Sequence, residues 1–71
     1  MDKKYSDVLR ALRKKHGFLQ QDIAARLDEL GAPTTKAQVS RWETGLNNPS
    51  IDQFIGLCRV YGVKDVYGVF G

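Results

Sequence analysis

One cysteine, Cys58, and one histidine, His16, stand among 71 residues. A lone cysteine excludes an internal disulfide and any cysteine-rich metal cluster, and it fits a reducing cytoplasm. With one His, one Cys and no glycine-rich phosphate loop, neither a nucleophile with its base nor a metal shell can be assembled. Asp28 and Glu29 do not help, because adjacent residues diverge on a helix and make a poor acid/base pair. No enzymatic activity and no cofactor are therefore expected. Long apolar runs are missing too. No stretch approaches the roughly 20 apolar residues of a membrane helix, and the start MDKKYSDVLR has no signal-peptide apolar block, so a soluble, cytoplasmic protein without a membrane partner is expected. Low-complexity tracts and internal repeats are absent. Nowhere do apolar and polar residues alternate long enough to argue a strand, which leaves an all-α chain. A strong charge of one sign is also lacking: eleven basic residues face eight acidic ones, a net charge of +3. That mild excess tilts the partner question towards a polyanion, and charge placement must decide it.

What is present is helical spacing and helix punctuation. A chain of this length forms one small domain that buries only about 60% of its unfolded surface, so the core must be compact. Tyr5, Val8, Leu9 and Leu12 follow an i, i+3, i+4, i+7 pattern, with Arg10, Lys14 and Lys15 near the end and Gly17 as the stop. Ile23, Ala24, Leu27 and Leu30 give a second helix, with Asp22 near its start and Gly31 and Pro33 past its end. Leu19 occupies the position of a capping Ser or Thr, leaving early N–H groups to water or another partner. Thr35 with Gln38 is a capping box for a short third helix that exits at Gly45. Asn47, Asn48 and Pro49 form a loop. Ser50 with Gln53 opens a fourth helix whose wide apolar face comprises Ile51, Phe54, Ile55, Leu57, Cys58 and Tyr61. A short last helix spans about Asp65 to Val69, although Gly68 weakens it. The expected architecture is a compact bundle of four or five short helices.

The third helix carries the functional question. Only Val39 and Trp42 can point at a core, while Lys36, Gln38, Ser40 and Arg41 must face something else. A solvated surface helix is the bland answer. However, a helix followed by a tight connection and a capped helix bearing Lys36, Gln38 and Arg41 has the layout of a helix-turn-helix reader, whose second helix enters the major groove. Arg41 can fork onto guanine, Lys36 can reach guanine or a phosphate, and Gln38 can bind adenine, each base pairing contributing about 1 to 3 kcal/mol of discrimination. Trp42 could stack on a base, but its spacing from Val39 places it on the core side. Cys58 falls on the packed face of the fourth helix as an inert small hydrophobe. His16 is expected to favour the C-terminal dipole and to see phosphate at best. Lys3 and Lys4 remain open between a DNA-gripping arm and a solvated terminus. Tyr67 or Val66 is expected to close the core, with the Phe70 side left for a partner.

GFLQQDIAARL followed by KAQVSRWETGLNNPSIDQFIGLCRVYGV resembles the Cro/Xre type of lambda repressor-like helix-turn-helix domain, over nearly the whole chain. The Gln20 to Ala24 segment, the VSRWE run at 39 to 43, the Gly45 exit and NPS at 48 to 50 carry the likeness. It implies a DNA-binding transcription regulator, a repressor of phage or bacterial type acting as a homodimer on a partly palindromic double-stranded operator. By the same resemblance Gln20 contacts a phosphate and steadies the recognition helix, and Thr35 caps helix three while facing a phosphate. Lys36, Ala37, Gln38 and Arg41 form the base-reading face with Ser40 nearby, and Asn47 and Asn48 run along the backbone. Arg13 and Glu43 resemble the family's ion pair between helix one and the end of helix three. Relatives of this type often carry a further C-terminal domain, so residues 1–71 fit an N-terminal DNA-binding part. One departure stands out: DELGAPTT between Leu27 and Lys36 exceeds the family's turn by roughly four residues, read as one extra turn of helix two that adds about 5.4 Å. The competing expectation is a protein-interaction module, a coactivator or antitoxin-like adaptor, supported by the apolar tail and modest charge.

Overall fold

The computed structural model describes residues 5–71. Lys3 and Lys4 lie outside the described residues. Five helices follow in order: α1 (Tyr5–Lys15), α2 (Gln20–Glu29), α3 (Lys36–Thr44), α4 (Ile51–Tyr61) and α5 (Val66–Phe70). No strand occurs among the described residues, and the all-α bundle read from the periodicity is the fold. α3 packs on both α1 and α2, α2 also meets α4, and α5 closes on α1. The core they enclose is built from Leu9, Ile23, Leu27, Val39, Trp42, Leu57 and Tyr61.

Local chemistry sets each boundary. Past the end of α1, Gly17 takes a left-handed φ of 73° and the Phe18 N–H returns to the Arg13 carbonyl at 3.1 Å. Such a turn satisfies carbonyls that the helix itself leaves unpaired. α2 starts at an extended Leu19 that has no side-chain oxygen to offer; instead Asp22 Oδ2 accepts the Leu19 N–H at 2.8 Å, which is half of a capping box. α4 has the whole box: the Gln53 N–H donates to Ser50 Oγ at 3.2 Å and Gln53 Oε1 accepts the Ser50 N–H at 2.9 Å. α3 differs from the sequence expectation, because Thr35 Oγ1 accepts the Gln38 N–H at 3.2 Å while the Gln38 side chain does not return the bond.

The surplus chain between α2 and α3 is not a further helical turn carrying Leu30 inward. α2 stops at Glu29, and Gly31 turns the chain with a φ of 81°. The Ala32 N–H then reaches the Leu27 carbonyl at 2.9 Å, a paired-carbonyl stop that buries Ala32 in place of Leu30. Leu30 is left 44% exposed.

Two further corrections concern the C-terminal third. The wide apolar face of α4 divides: Leu57 and Tyr61 are buried and Phe54 and Cys58 half-buried, whereas Ile51 and Ile55 are 79% and 49% exposed. In α5, Phe70 rather than Tyr67 or Val66 turns inward. Its ring lies 5.4 Å from Tyr5 and 5.2 Å from Phe54, closing the bundle with an aromatic trio, while Tyr67 is 86% exposed. The cause is register. Asp65 caps the helix by accepting the Gly68 N–H at 3.0 Å, so the helix starts at Val66 and its last positions, not its first, face α1.

Candidate nucleic-acid interface

α3 is fastened by three buried positions, Val39, Trp42 and Glu43. Their spacing of three, one and four residues keeps them on one side of a helix. Lys36, Ala37, Arg41 and Thr44 are exposed, and Gln38 and Ser40 are half-buried. At about 100° per residue, Ala37, Arg41 and Thr44 stand opposite the buried side, with Lys36 and Ser40 on one flank and Gln38 on the other. The one carboxylate of α3, Glu43, is turned inward, so the outward side carries two cations and no anion.

Glu43 is 4% exposed and would be costly there without partners. Arg13 supplies them as a fork, its Nε 2.7 Å and its Nη2 3.0 Å from the two carboxylate oxygens. The remaining Nη1 donates to the Phe18 carbonyl at 2.9 Å. That hydrogen bond with Glu43 holds the Arg13 guanidinium even above its already high basicity. Gln20 Nε2 adds a third donor to Glu43 at 3.3 Å. One carboxylate thus ties α1, the α1–α2 turn, the start of α2 and the end of α3 together, which fixes the angle at which α3 is presented.

The start of α2 shares this side of the molecule. Arg13, Leu19, Gln20, Gln21 and Lys36 line one shallow depression, so the structure brings Lys36 of α3 beside the first turn of α2. Gln20 is half-buried and Thr35 exposed at the cap of α3. Beyond α3, Gly45 turns the chain at a φ of 81°, and the Leu46 and Asn47 N–H groups both donate to the Arg41 carbonyl at 2.9 and 3.3 Å. Asn47 and Asn48 follow, fully on the surface.

A family model described as helix-turn-helix matches residues 9–67. The chain belongs to the Cro-type helix-turn-helix family. No curated protein and no solved structure gives a significant match. The matched span takes in α2, α3 and α4 entirely, so the helix-turn-helix pair is α2 and α3, joined through the lengthened connection at 30–35. This is a DNA-binding regulatory domain.

Two residues on the same side of the helix-turn-helix domain escape the motif reading. Gln21 is exposed in the first turn of α2, next to Gln20. Thr44 extends the outward stripe of α3, and its Oγ1 donates to the Arg41 carbonyl at 3.3 Å. Spacing offered a signal for Thr44, which lies three residues beyond Arg41 on its face, but none for Gln21. Elsewhere, burial pushes the Cys58 thiol up, which keeps it neutral around neutral pH. His16 lies past the last turn of α1, stacked on Phe18 at 6.1 Å and tilted against Tyr61 at 5.5 Å. Among the described residues no group of His, Cys, Asp or Glu is arranged to hold a metal ion, and no helix is long and apolar enough to cross a membrane.

Proposed function

We propose that this domain is a sequence-specific transcription regulator, a repressor of phage or bacterial type working in the cytoplasm, that reads the major groove with α3 and binds a partly palindromic operator as a homodimer. The observation that supports this most is the outward side of α3: exposed, basic, free of carboxylates and backed by a buried stripe. A major groove about 12 Å wide admits one helix, and side chains near its N-terminus then meet base edges. Arg41 reads guanine, Gln38 adenine, and Ala37 offers a methyl contact to thymine. Lys36 and Ser40 reach bases or phosphates on the flank that adjoins α2. Gln20, Thr35, Asn47 and Asn48 lie along the phosphates and set the register of α3. The first-turn N–H groups at Gln20 and Gln21, left uncapped by Leu19, suit a phosphate oxygen. Occupied promoter DNA excludes polymerase, and that exclusion is the repression. Residues 1–71 act in this reading as one DNA-binding unit, whether or not a second domain follows.

A second reading, a protein-binding adaptor on the same fold, is favoured by one observation: Ile51, Ile55 and Tyr67 are large, apolar and exposed. Binding to mixed-sequence DNA across a salt series separates the two. Contact with several phosphates gives a steeply negative slope of log affinity against log salt, about 0.9 per phosphate neutralised. A flat slope with negligible affinity at low salt would favour the adaptor.

A further inference from the structure

The outer face of α4 is the least expected surface of the molecule. Opposite the buried side of Leu57 and Tyr61, where a surface helix ordinarily carries polar residues, stand Ile51 and Ile55 in adjacent turns, 79% and 49% exposed. Leu30 faces Ile55 across a shallow groove and adds a third exposed apolar side chain. Along one edge of this stripe lie Asp52 in the first turn and Arg59 in the last. Neither has an ion-pair partner among the described residues.

We propose that this face is the self-association surface of the protein, and that its occupant is α4 of a second copy of the chain, packed antiparallel about a two-fold axis beside Ile55. The argument is self-complementarity. Asp52 and Arg59 are seven residues apart, two helical turns or about 10.5 Å along the axis, and Ile55 lies near their midpoint. A two-fold axis perpendicular to the helix, passing between the copies at that midpoint, reverses the partner helix while keeping each edge on its own side. Asp52 of one copy then faces Arg59 of the other, twice, and the Ile55 side chains meet between them. A parallel two-fold pair would instead carry the charged edge of each copy to opposite sides of the interface, leaving Asp52 and Arg59 without a partner across it. Isologous contacts of this kind are the ordinary way a chain dimerises. An 11-residue helix offers a small patch, below the roughly 800 Å² per partner of a standard interface, so the dimer is weak in isolation and concentration-dependent.

The inference deepens the proposed dimeric operator binding by naming the contact, and its test is separate because it needs no DNA. Sedimentation equilibrium of the intact chain from about ten micromolar to about one millimolar should show a monomer–dimer equilibrium, with circular dichroism confirming that each variant is folded. Ile55→Lys, at a half-exposed position, should stay monomeric throughout. Asp52→Arg or Arg59→Asp alone should weaken the dimer at least tenfold, and the two together should restore it to within about threefold of the parent. If a charge reversal unfolds the monomer, Ile55→Lys decides alone. A parent that remains monomeric at the highest concentration, an Ile55→Lys variant that dimerises like the parent, or folded charge variants without rescue would each overturn the proposal. Any of these with DNA binding intact would leave the DNA-reading proposal standing.

Discussion

At the scale of single residues, Arg13 and Arg10 make a controlled comparison, since both are α1 arginines with a carboxylate partner. Arg10 meets Asp7 at 3.5 Å with both side chains about half exposed, whereas Arg13 grips Glu43 at 2.7 Å with side-chain exposures of 12% and 4%. Exposed pairs contribute about 0 to 1 kcal/mol, while removing one partner of a buried pair costs about 3 to 5 kcal/mol because the other charge stays buried. Arg13→Ala should therefore lose several times more stability in urea unfolding than Arg10→Ala, and equal losses would contradict the role given to Glu43. Tyr5 supplies a second test. Burial first, and the Cys58 charge second, push its phenol up from 10.0 to about 12. Burial, with Glu43 adding, raises Tyr61 as well. A raised acid favours its neutral form in the folded state, so stability is fully present below pH 10, where the unfolded phenol begins to ionise, and is lost as pH rises towards 12. Thermal melts from pH 8 to 12 should show Tyr5→Phe losing less than the parent above pH 10; parallel curves would refute the assignment.

At the scale of elements, the helices were legible because their signals are local. Ser50 with Gln53 and the glycines at 17, 31 and 45 act on their own turns, whatever the rest of the chain does. Which way a helix faces is not local. Periodicity placed Ile51 and Ile55 on the same wide face as Leu57, and only the position of α2 and α1 decides which part of that face is covered. The same holds for Phe70 against Tyr67, where a one-residue change in the start of α5 exchanges inside for outside, and for Leu30, whose place Ala32 takes once Gly31 turns the chain. The candidate site was legible where two residues bury α3 and the rest of it must face away, and the spacing from Arg41 reaches Thr44 as well, but Gln21 needed the assembled helices. The half-formed cap of α3 separates stability from recognition. Thr35→Ala removes a used cap and should cost about 1 kcal/mol of stability. Gln38→Ala, whose side chain takes no part in the cap, should leave the melting temperature almost unchanged while lowering preference for adenine in the bound sequence. A comparable stability loss in both would show that the box is closed in solution.

At the scale of the whole molecule, a net charge of +3 is too small to make DNA binding a matter of bulk attraction. In the proposed reading placement carries it: Glu43 is withdrawn into a buried network, and Lys36 and Arg41 are left exposed, Lys36 beside Gln20. The connection at 30–35 leads into α3 through Thr35, while the Arg13–Glu43–Gln20 network fastens the other end of α3 to α1 and to the start of α2. The most direct test is selection of bound sequences from a random DNA library by the parent, Arg41→Ala and Asn47→Ala, with affinities measured on the selected site and on scrambled DNA. Arg41→Ala should flatten the preference at one or two base positions, costing about 1 to 3 kcal/mol on the selected site and far less on scrambled DNA, whereas Asn47→Ala should weaken every sequence alike. Two variants that select and bind every site as the parent does would contradict the assignment of this face to DNA.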